Sequence, residues 1–356
     1  MSKQKEYSPA VLKLPADYGV LKQLEGTWVN HNPDNNTTSW GLHTTCMPSP
    51  GTNSETIPGK YHFLCEDYTE ELTFTLVKGS VRNRGGANEQ FAGAVEYKTA
   101  INDLNGNPLH AENGMYLWLS DIYNHPASVE SVKTDIGQPE LKPGDGANGP
   151  NFVSSYSVSR SGTIPHGSTI LLFGKDEEKE GKPVFPSGTN TWEPGFLAIS
   201  QSMGGADIPP DAPINLDKPA PAWVHDTSIP IKQPSSNKAY TQRILAHNLY
   251  PYSVRPDLRL RDALKNQEVK KHVFIEMNTT ETGGPQGGVL NNPFVSRFAP
   301  VQEMKMRMWI ETIVENGEEI LQLQYEQIMF FQFQFGTDGG ATRWPHIQIN
   351  TLRKKK

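Results

Sequence analysis

What most limits the fold of this chain is a two-residue period. Between Glu70 and Val77 the apolar Leu72, Phe74 and Leu76 alternate with Thr73 and Thr75, the pattern of a strand with one apolar face. Strand-like runs also cover Ser39 to Cys46, Tyr61 to Asp67, Phe91 to Asn102, Leu109 to Leu119, Phe152 to Ser159 and Ser168 to Phe173. They return at His272 to Asn278, Gln302 to Val314, Glu319 to Phe335 and Ile347 to Leu352. Asn105-Gly106 and Asn316-Gly317 fall between such runs and supply the positive φ that tight hairpins need. Helical signals are short: Asp17 to Glu25, stopped by Gly26, and Arg255 to Asn266. Roughly ten antiparallel strands joined by hairpins predict an all-β, closed up-and-down barrel with a ligand-sized interior, because closure removes the edges.

Composition agrees. With 31 glycines and 28 prolines in 356 residues, many short elements are joined by turns. A net charge of −6 argues against nucleic acid, whose binding needs clustered positive charge. The final Arg353-Lys354-Lys355-Lys356 reads as a solvated tail. Cys46 and Cys65 make neither a disulfide framework nor a thiolate zinc site. The charged Met1 to Tyr7 has no apolar run, and no stretch reaches the roughly 20 apolar residues of a membrane span. A soluble, cytoplasmic protein is expected, with no membrane partner and with a homodimer left open. A long loop is expected from Asn124 to Asn151, an exposed charged stretch at Lys175 to Gly181, and no regular element in the proline-dense Gly204 to Asn237.

Common catalytic signatures are missing. Gly283-Gly284-Pro285-Gln286-Gly287-Gly288 lacks the Lys-Ser/Thr of a phosphate loop, and there is no Gly-x-Ser-x-Gly, no His-Glu-x-x-His and no acidic calcium loop. Of ten histidines, three draw attention. His346 follows the Pro345 break and opens a strand in which His346, Gln348 and Asn350 share one face, while Ile347, Ile349 and Thr351 share the other. That presents an imidazole to a cavity, and imidazole is a common haem-iron ligand. His166 lies in the turn Ile164-Pro165-His166-Gly167-Ser168, either bonding backbone or standing at a pocket mouth. His110, two residues before Glu112, points to an imidazole–carboxylate contact inside the barrel. Trp28, Trp118, Trp309 and Trp344, with Phe330, Phe331, Phe333 and Phe335, supply aromatic walls.

Four segments together resemble nitrobindin-like haem-binding β-barrels, which are akin to fatty-acid-binding proteins and lipocalins. Leu21-x-x-Leu24-x-Gly26-Thr27-Trp28 resembles the start of that family, and Tyr68-x-Glu70-Glu71-Leu72-x-Phe74 is similar to one of its strands. Gly106-x-Pro108-Leu109-His110-Ala111-Glu112-x-Gly114 is similar to its hairpin, and Pro345-His346-Ile347 with Leu352-Arg353-Lys354 to its closing strand. The resemblance covers about residues 15–120 and 300–356 and points to an enlarged bacterial branch: one domain over 1–356, with 124–300 as an inserted, partly irregular extension. Val29-Asn30-His31-Asn32 replaces the family's glycine-rich turn against the haem edge.

The resemblance implies a ten-stranded barrel holding haem b (iron protoporphyrin IX) through one axial histidine. Carried over, His346 is the iron ligand, with Gln348 or a backbone carbonyl orienting its second nitrogen. Arg343, Trp344, Trp28, Thr27 and His166 complete the expected cofactor site. Arg343 and Arg307 are the expected propionate partners and His166 the distal residue. Small diatomic or oxidant ligands follow by analogy: nitric oxide, peroxynitrite or peroxide, with an isomerase or peroxidase-like activity left open. Two other readings compete: a haem-free carrier of a lipid or other hydrophobic molecule, and an enzyme using His110 and Glu112 as an acid–base pair.

Overall fold

The computed structural model describes residues 16–30, 41–48, 61–79, 81–83, 88–124, 156–185, 230–232, 239–241, 252, 256–280, 287–335 and 340–355. Its strands are β1 (Gly26–Asn30), β2 (Gly41–Pro48), β3 (Tyr61–Leu76), β4 (Val81–Asn83), β5 (Asn88–Asn102), β6 (Pro108–Asn124), β7 (Val158–Ile164) and β8 (Ser168–Glu180). There follow β9 (Pro230–Lys232), β10 (Ala239–Thr241), β11 (Glu268–Asn278), β12 (Gly288–Asn291), β13 (Val301–Glu315), β14 (Glu318–Phe335) and β15 (Gly340–Lys354). A 3-10 helix spans Gly19–Leu24, and two short α-helices, α1 (Asp257–Ala263) and α2 (Pro293–Phe298), complete the elements used below.

Ten strands close a ring in the order β3-β2-β15-β14-β13-β11-β8-β7-β6-β5, and β5 pairs back onto β3; every pairing is antiparallel. The expected closed barrel is thus the observed architecture. Segment 124–300 contributes β7, β8 and β11 to the ring itself. The two predicted runs at Tyr61 to Asp67 and Glu70 to Val77 are one strand, paired first with β2 and then with β1 and β5. The run expected at Phe152 to Ser159 begins at Val158 among the described residues and continues to Ile164. Lys175 to Glu180 is exposed as expected, but as the end of β8, laddered to β11. Inside the proline-dense segment, β9 pairs with β10; Pro230 fits as the first residue of its strand, where an N–H is dispensable. The remainder of that segment and the loop expected at Asn124 to Asn151 fall almost wholly outside the described residues.

Hairpin chemistry fixes the registers. At the β13–β14 turn Asn316 has φ 54° and Gly317 φ 83°, the paired left-handed residues of a tight hairpin. One slot of the ring is shared by two short strands. Between β3 and β15, β2 fills one half by pairing with Ile347–Ile349, and β1 fills the other by pairing with Leu352–Lys354. At the joint the Asn30 carboxamide acts as a peptide group. It accepts from the Glu70 N–H and donates to the Tyr68 carbonyl (3.2 Å) and to Asn350 Oδ1 (2.9 Å).

Strand alternation divides the side chains into two cores. Inside the ring, Trp28, Leu72, Phe74, Val95, Ile275, Leu323 and Leu352 pack with five methionines, Met277, Met304, Met306, Met308 and Met329. Thioethers suit an irregular interior because they are unbranched and polarisable. The 3-10 helix covers this end, burying Leu21 and Leu24, and Trp28 Nε1 donates to the Leu24 carbonyl at 2.6 Å. Gly93 is required there, since a Cβ would lie 1.9 Å from the Asp17 carbonyl oxygen. Outside the ring, α1 packs on β15, burying Leu258, Leu260 and Ala263, while Phe185 meets Trp309 edge-on at 4.9 Å. No described helix is long and apolar enough to cross a membrane.

Candidate functional site

The inward face of β15 carries His346, Gln348 and Asn350, as the alternation predicted. Antiparallel pairing sets His43 of β2 opposite Gln348, so it enters on the same face. The rings of His43 and His346 lie 5.8 Å apart, and Phe331 of β14 stacks on His346 at 5.7 Å. His110 of β6 and His166 in the β7–β8 turn form a second pair at 5.1 Å. His43, His110 and His166 all act electrostatically on His346 at this end of the barrel. Burial, then His43, His110 and His166, pull the His346 pKa well below its usual value. Burial and His110 bring His43 down to about 4, and the same two causes lower His166. At neutral pH His43, His166 and His346 are therefore uncharged; His43 Nε2 lies 3.8 Å from Glu66 Oε2 and His166 hydrogen-bonds the Leu109 backbone.

Beneath the histidines the interior is polar, arranged around two buried carboxylates. Arg160 of β7 is 3% exposed and reaches Glu112 Oε1 at 2.6 Å, Gln327 Oε1 at 2.9 Å and the Tyr97 hydroxyl at 3.2 Å. The Tyr97 hydroxyl also donates to Glu112, and His110 Nε2 lies 3.5 Å from Glu112 Oε2. Burial alone would push the Glu112 pKa up. The Arg160 guanidinium, helped by His110 and Tyr97, outweighs it and holds Glu112 at about 2. Gly162 makes the space: a Cβ there would lie 2.1 Å from the Tyr97 hydroxyl and 2.7 Å from Glu112 Oε1.

The second carboxylate, Glu70 of β3, has no cation within hydrogen-bond reach among the described residues. Thr99 donates to its Oε1 at 2.7 Å, Asn350 to its Oε2 at 2.8 Å, and the Tyr325 hydroxyl lies 2.6 Å from Oε2. Tyr68 continues the chain, 2.9 Å from Tyr325 and donating to the Ile349 carbonyl at 2.8 Å. Burial raises the pKa of Glu70, and its hydrogen bonds only partly oppose that.

The predicted site residues do not all meet. His346 and His166 converge, with His110, and so does the imidazole–carboxylate contact expected of His110 and Glu112. Trp344 and Arg343 are paired opposite Phe331 and Gln332; their side chains lie outside the described residues. Trp28 and Thr27 sit elsewhere. Trp28 pairs with Lys354, roughly 26 Å from His346 along β15 at about 3.3 Å per residue, and Thr27 meets the Thr73 hydroxyl at 3.0 Å. Arg307 faces outward, because Met306 and Met308 take the inward positions on β13, and it pairs with Glu276 at 2.8 Å and Glu326 at 3.4 Å. It is turned away from any interior propionate. Gln348 accepts from Gln327 at 3.2 Å, and among the described residues no hydrogen bond reaches the His346 ring.

Sequence reasoning missed His43, Arg160 and Glu70 as interior groups. Arg160 had a readable signal, a cation on the apolar face of Val158-x-Arg160-x-Gly162-x-Ile164. Among the described residues, no three His, Cys, Asp or Glu side chains are placed to hold a metal ion between them.

No family model matches the chain, and no curated protein matches it in sequence. Among solved structures, the crystal structure of Rv2717c from M. tuberculosis is similar over 96% of this chain and 100% of that one, at 11% identity and a TM-score of 0.33.

Proposed function

We propose that this barrel binds b-type haem at its histidine end, with His346 as the axial ligand. The observation that carries the reading is the state of His346: an inward-facing, uncharged imidazole, stacked on Phe331 and free of hydrogen bonds among the described residues. A haem ligand needs a neutral nitrogen, which low-dielectric surroundings favour. The chemistry of these residues supports the reading. His346 would hold the iron, Phe331 and Met329 would contact the macrocycle, and His43, His110 and His166 would lie within reach of a small bound molecule. Bound haem supplies an iron site for diatomic or oxidant ligands such as nitric oxide, peroxynitrite or peroxide. The chain's part is to orient His346, exclude water with the methionine-lined interior, and offer neutral imidazoles as hydrogen-bond partners.

The carrier reading is less well supported. A fatty-acid carboxylate needs an unpaired cation inside the barrel, and Arg160 is already neutralised by Glu112 at 2.6 Å.

Hemin titration of the apo protein, followed by absorbance beside His346→Ala, tests the proposal. A saturable Soret shift in wild type that is lost or displaced in the variant is the expected result. No shift in wild type would overturn haem binding, and a shift unchanged in the variant would overturn His346 as ligand.

A further inference from the structure

A proton count around Glu70 carries an inference independent of the haem reading. Three oxygen–oxygen contacts run in series: Glu70 Oε2 to Tyr325 at 2.6 Å, Tyr325 to Tyr68 at 2.9 Å, and Tyr68 to the Ile349 carbonyl at 2.8 Å. Each is short enough to be a hydrogen bond and therefore needs a proton. The two tyrosines bring only two, and a backbone carbonyl brings none. The direction is set from the carbonyl end. Ile349 can only accept, so Tyr68 spends its proton there and must accept from Tyr325. Tyr325 has then spent its own proton, and the contact at Glu70 lacks one unless the carboxyl supplies it.

We infer that Glu70 is a protonated, neutral carboxylic acid in the folded protein, donating to Tyr325 and heading a chain Glu70→Tyr325→Tyr68→Ile349 that clamps β3, β14 and β15 together. The remaining contacts agree. Thr99 donates to Oε1, which stays a carbonyl oxygen, and Asn350 donates to the lone pair left on Oε2. The side chain is 6% exposed, and a charge there would carry a desolvation cost with no cation beside it to offset it.

The titratable groups facing Glu70 are Tyr325 in contact and Tyr68 one link beyond it, with His110 and Tyr116 of β6 acting at longer range. Arg259, outside the ring, acts on Tyr68. Proton loss from Glu70 breaks the series. The carboxylate would take the Tyr325 proton, and the Tyr325–Tyr68 contact would be left with two acceptors and nothing to share. The clamp ends at Ile349, three residues from His346 on the same strand, so its proton governs how firmly that strand is held. The device is a proton latch that opens as rising pH removes the Glu70 proton.

Infrared spectroscopy of the full chain at neutral pH tests it. Glu311 is also deeply buried, with its pKa pushed up to about 8 by burial, so any carboxylic-acid carbonyl band it contributes is identified and removed by Glu311→Gln. In that background a second carboxylic-acid band, sensitive to deuterium, is expected in otherwise wild-type protein. It should vanish in Glu70→Gln and shift in Tyr325→Phe, which removes the acceptor of the acid proton. If Glu70→Gln does not fold, the Tyr325→Phe shift still decides. Absence of the band, or a band unmoved by Tyr325→Phe, would overturn the inference.

Discussion

Glu70 and Glu112 are both glutamates buried in one barrel interior, and they stand in opposite states. Glu112 faces Arg160, and its hydrogen bonds from the Tyr97 hydroxyl and from the guanidinium each bring a proton. Glu70 faces hydroxyls and an amide, and its chain is one proton short. Burial is nearly the same, 3% and 6% exposed, so desolvation cannot separate them. The difference lies in the neighbour. A cation within hydrogen-bond reach makes the charged form the stable one, and its absence makes the neutral form stable. Thr99 links the walls: it pairs across β5–β6 with Glu112 and spends its hydroxyl on Glu70.

The largest expected effect comes from removing the cation. Arg160→Met should destabilise the fold by about 3–5 kcal/mol at pH 7, because it strands a buried carboxylate. Urea denaturation at pH 7 and pH 4 checks this. The loss should shrink at the lower pH as Glu112 takes a proton, and equal losses would mean that Glu112 is not the stranded group. Gly162→Ala pushes a methyl group into the Tyr97–Glu112 contact and should cost about 1–3 kcal/mol by overpacking, read as a lower thermal midpoint. A neutral outcome would mean that the Arg160 wall is loosely packed. On the other wall, Tyr325→Phe removes one donor and one acceptor and should cost about 1–3 kcal/mol. Denaturation of Tyr325→Phe beside Tyr68→Phe would show whether the inner or the outer link of the chain matters more.

The smallest effect is the most diagnostic, because the two walls have opposite pH signatures. Glu112 has a folded pKa of about 2, below its ordinary 4.5. Its contribution is therefore fully present above about pH 4.5 and is lost as the pH falls through 2. Glu70 has a folded pKa raised above 4.5. The unfolded chain then releases its proton first, so stability falls as the pH rises from about 4.5 toward the folded value. Stability curves of Glu112→Gln and Glu70→Gln should each flatten one limb, the one below about pH 4.5 for the first and the one rising from about pH 4.5 for the second. Flattening of the same limb in both would erase the comparison.

Much of this barrel is legible from local pattern. A period of two and an Asn-Gly pair are properties of neighbouring residues, and they placed β3, β5, β6, β13 and β14 and both hairpins. The face shared by His346, Gln348 and Asn350 followed from the same period. Convergence across the ring is not local. His43 meets His346, and Glu70 meets Tyr325 and Asn350, through pairings that join distant parts of the chain, and no window along the sequence holds both partners. Arg307 shows the cost of ignoring parity. It stands between Met306 and Met308, and the inward choice of those methionines decides that the guanidinium faces out. Trp28 and Thr27 were placed with His346 by family resemblance, and the antiparallel register carries them to the other end of β15.

The joint between β1 and β2 has a consequence for how this protein meets its own copies. A ring of strands resists aggregation only while each backbone group along its staves is engaged, and a stave made of two pieces leaves a short stretch of its neighbour outside both ladders. Thr69 and Glu70 are the β3 residues that fall between the two pairings. An extended segment from another chain could dock there, as strands do at any unguarded edge. The Asn30 carboxamide engages the Glu70 N–H and the Tyr68 carbonyl that such an intruder would seek. One side chain thus guards the seam against self-recruitment, a task that barrels with continuous staves never have to assign.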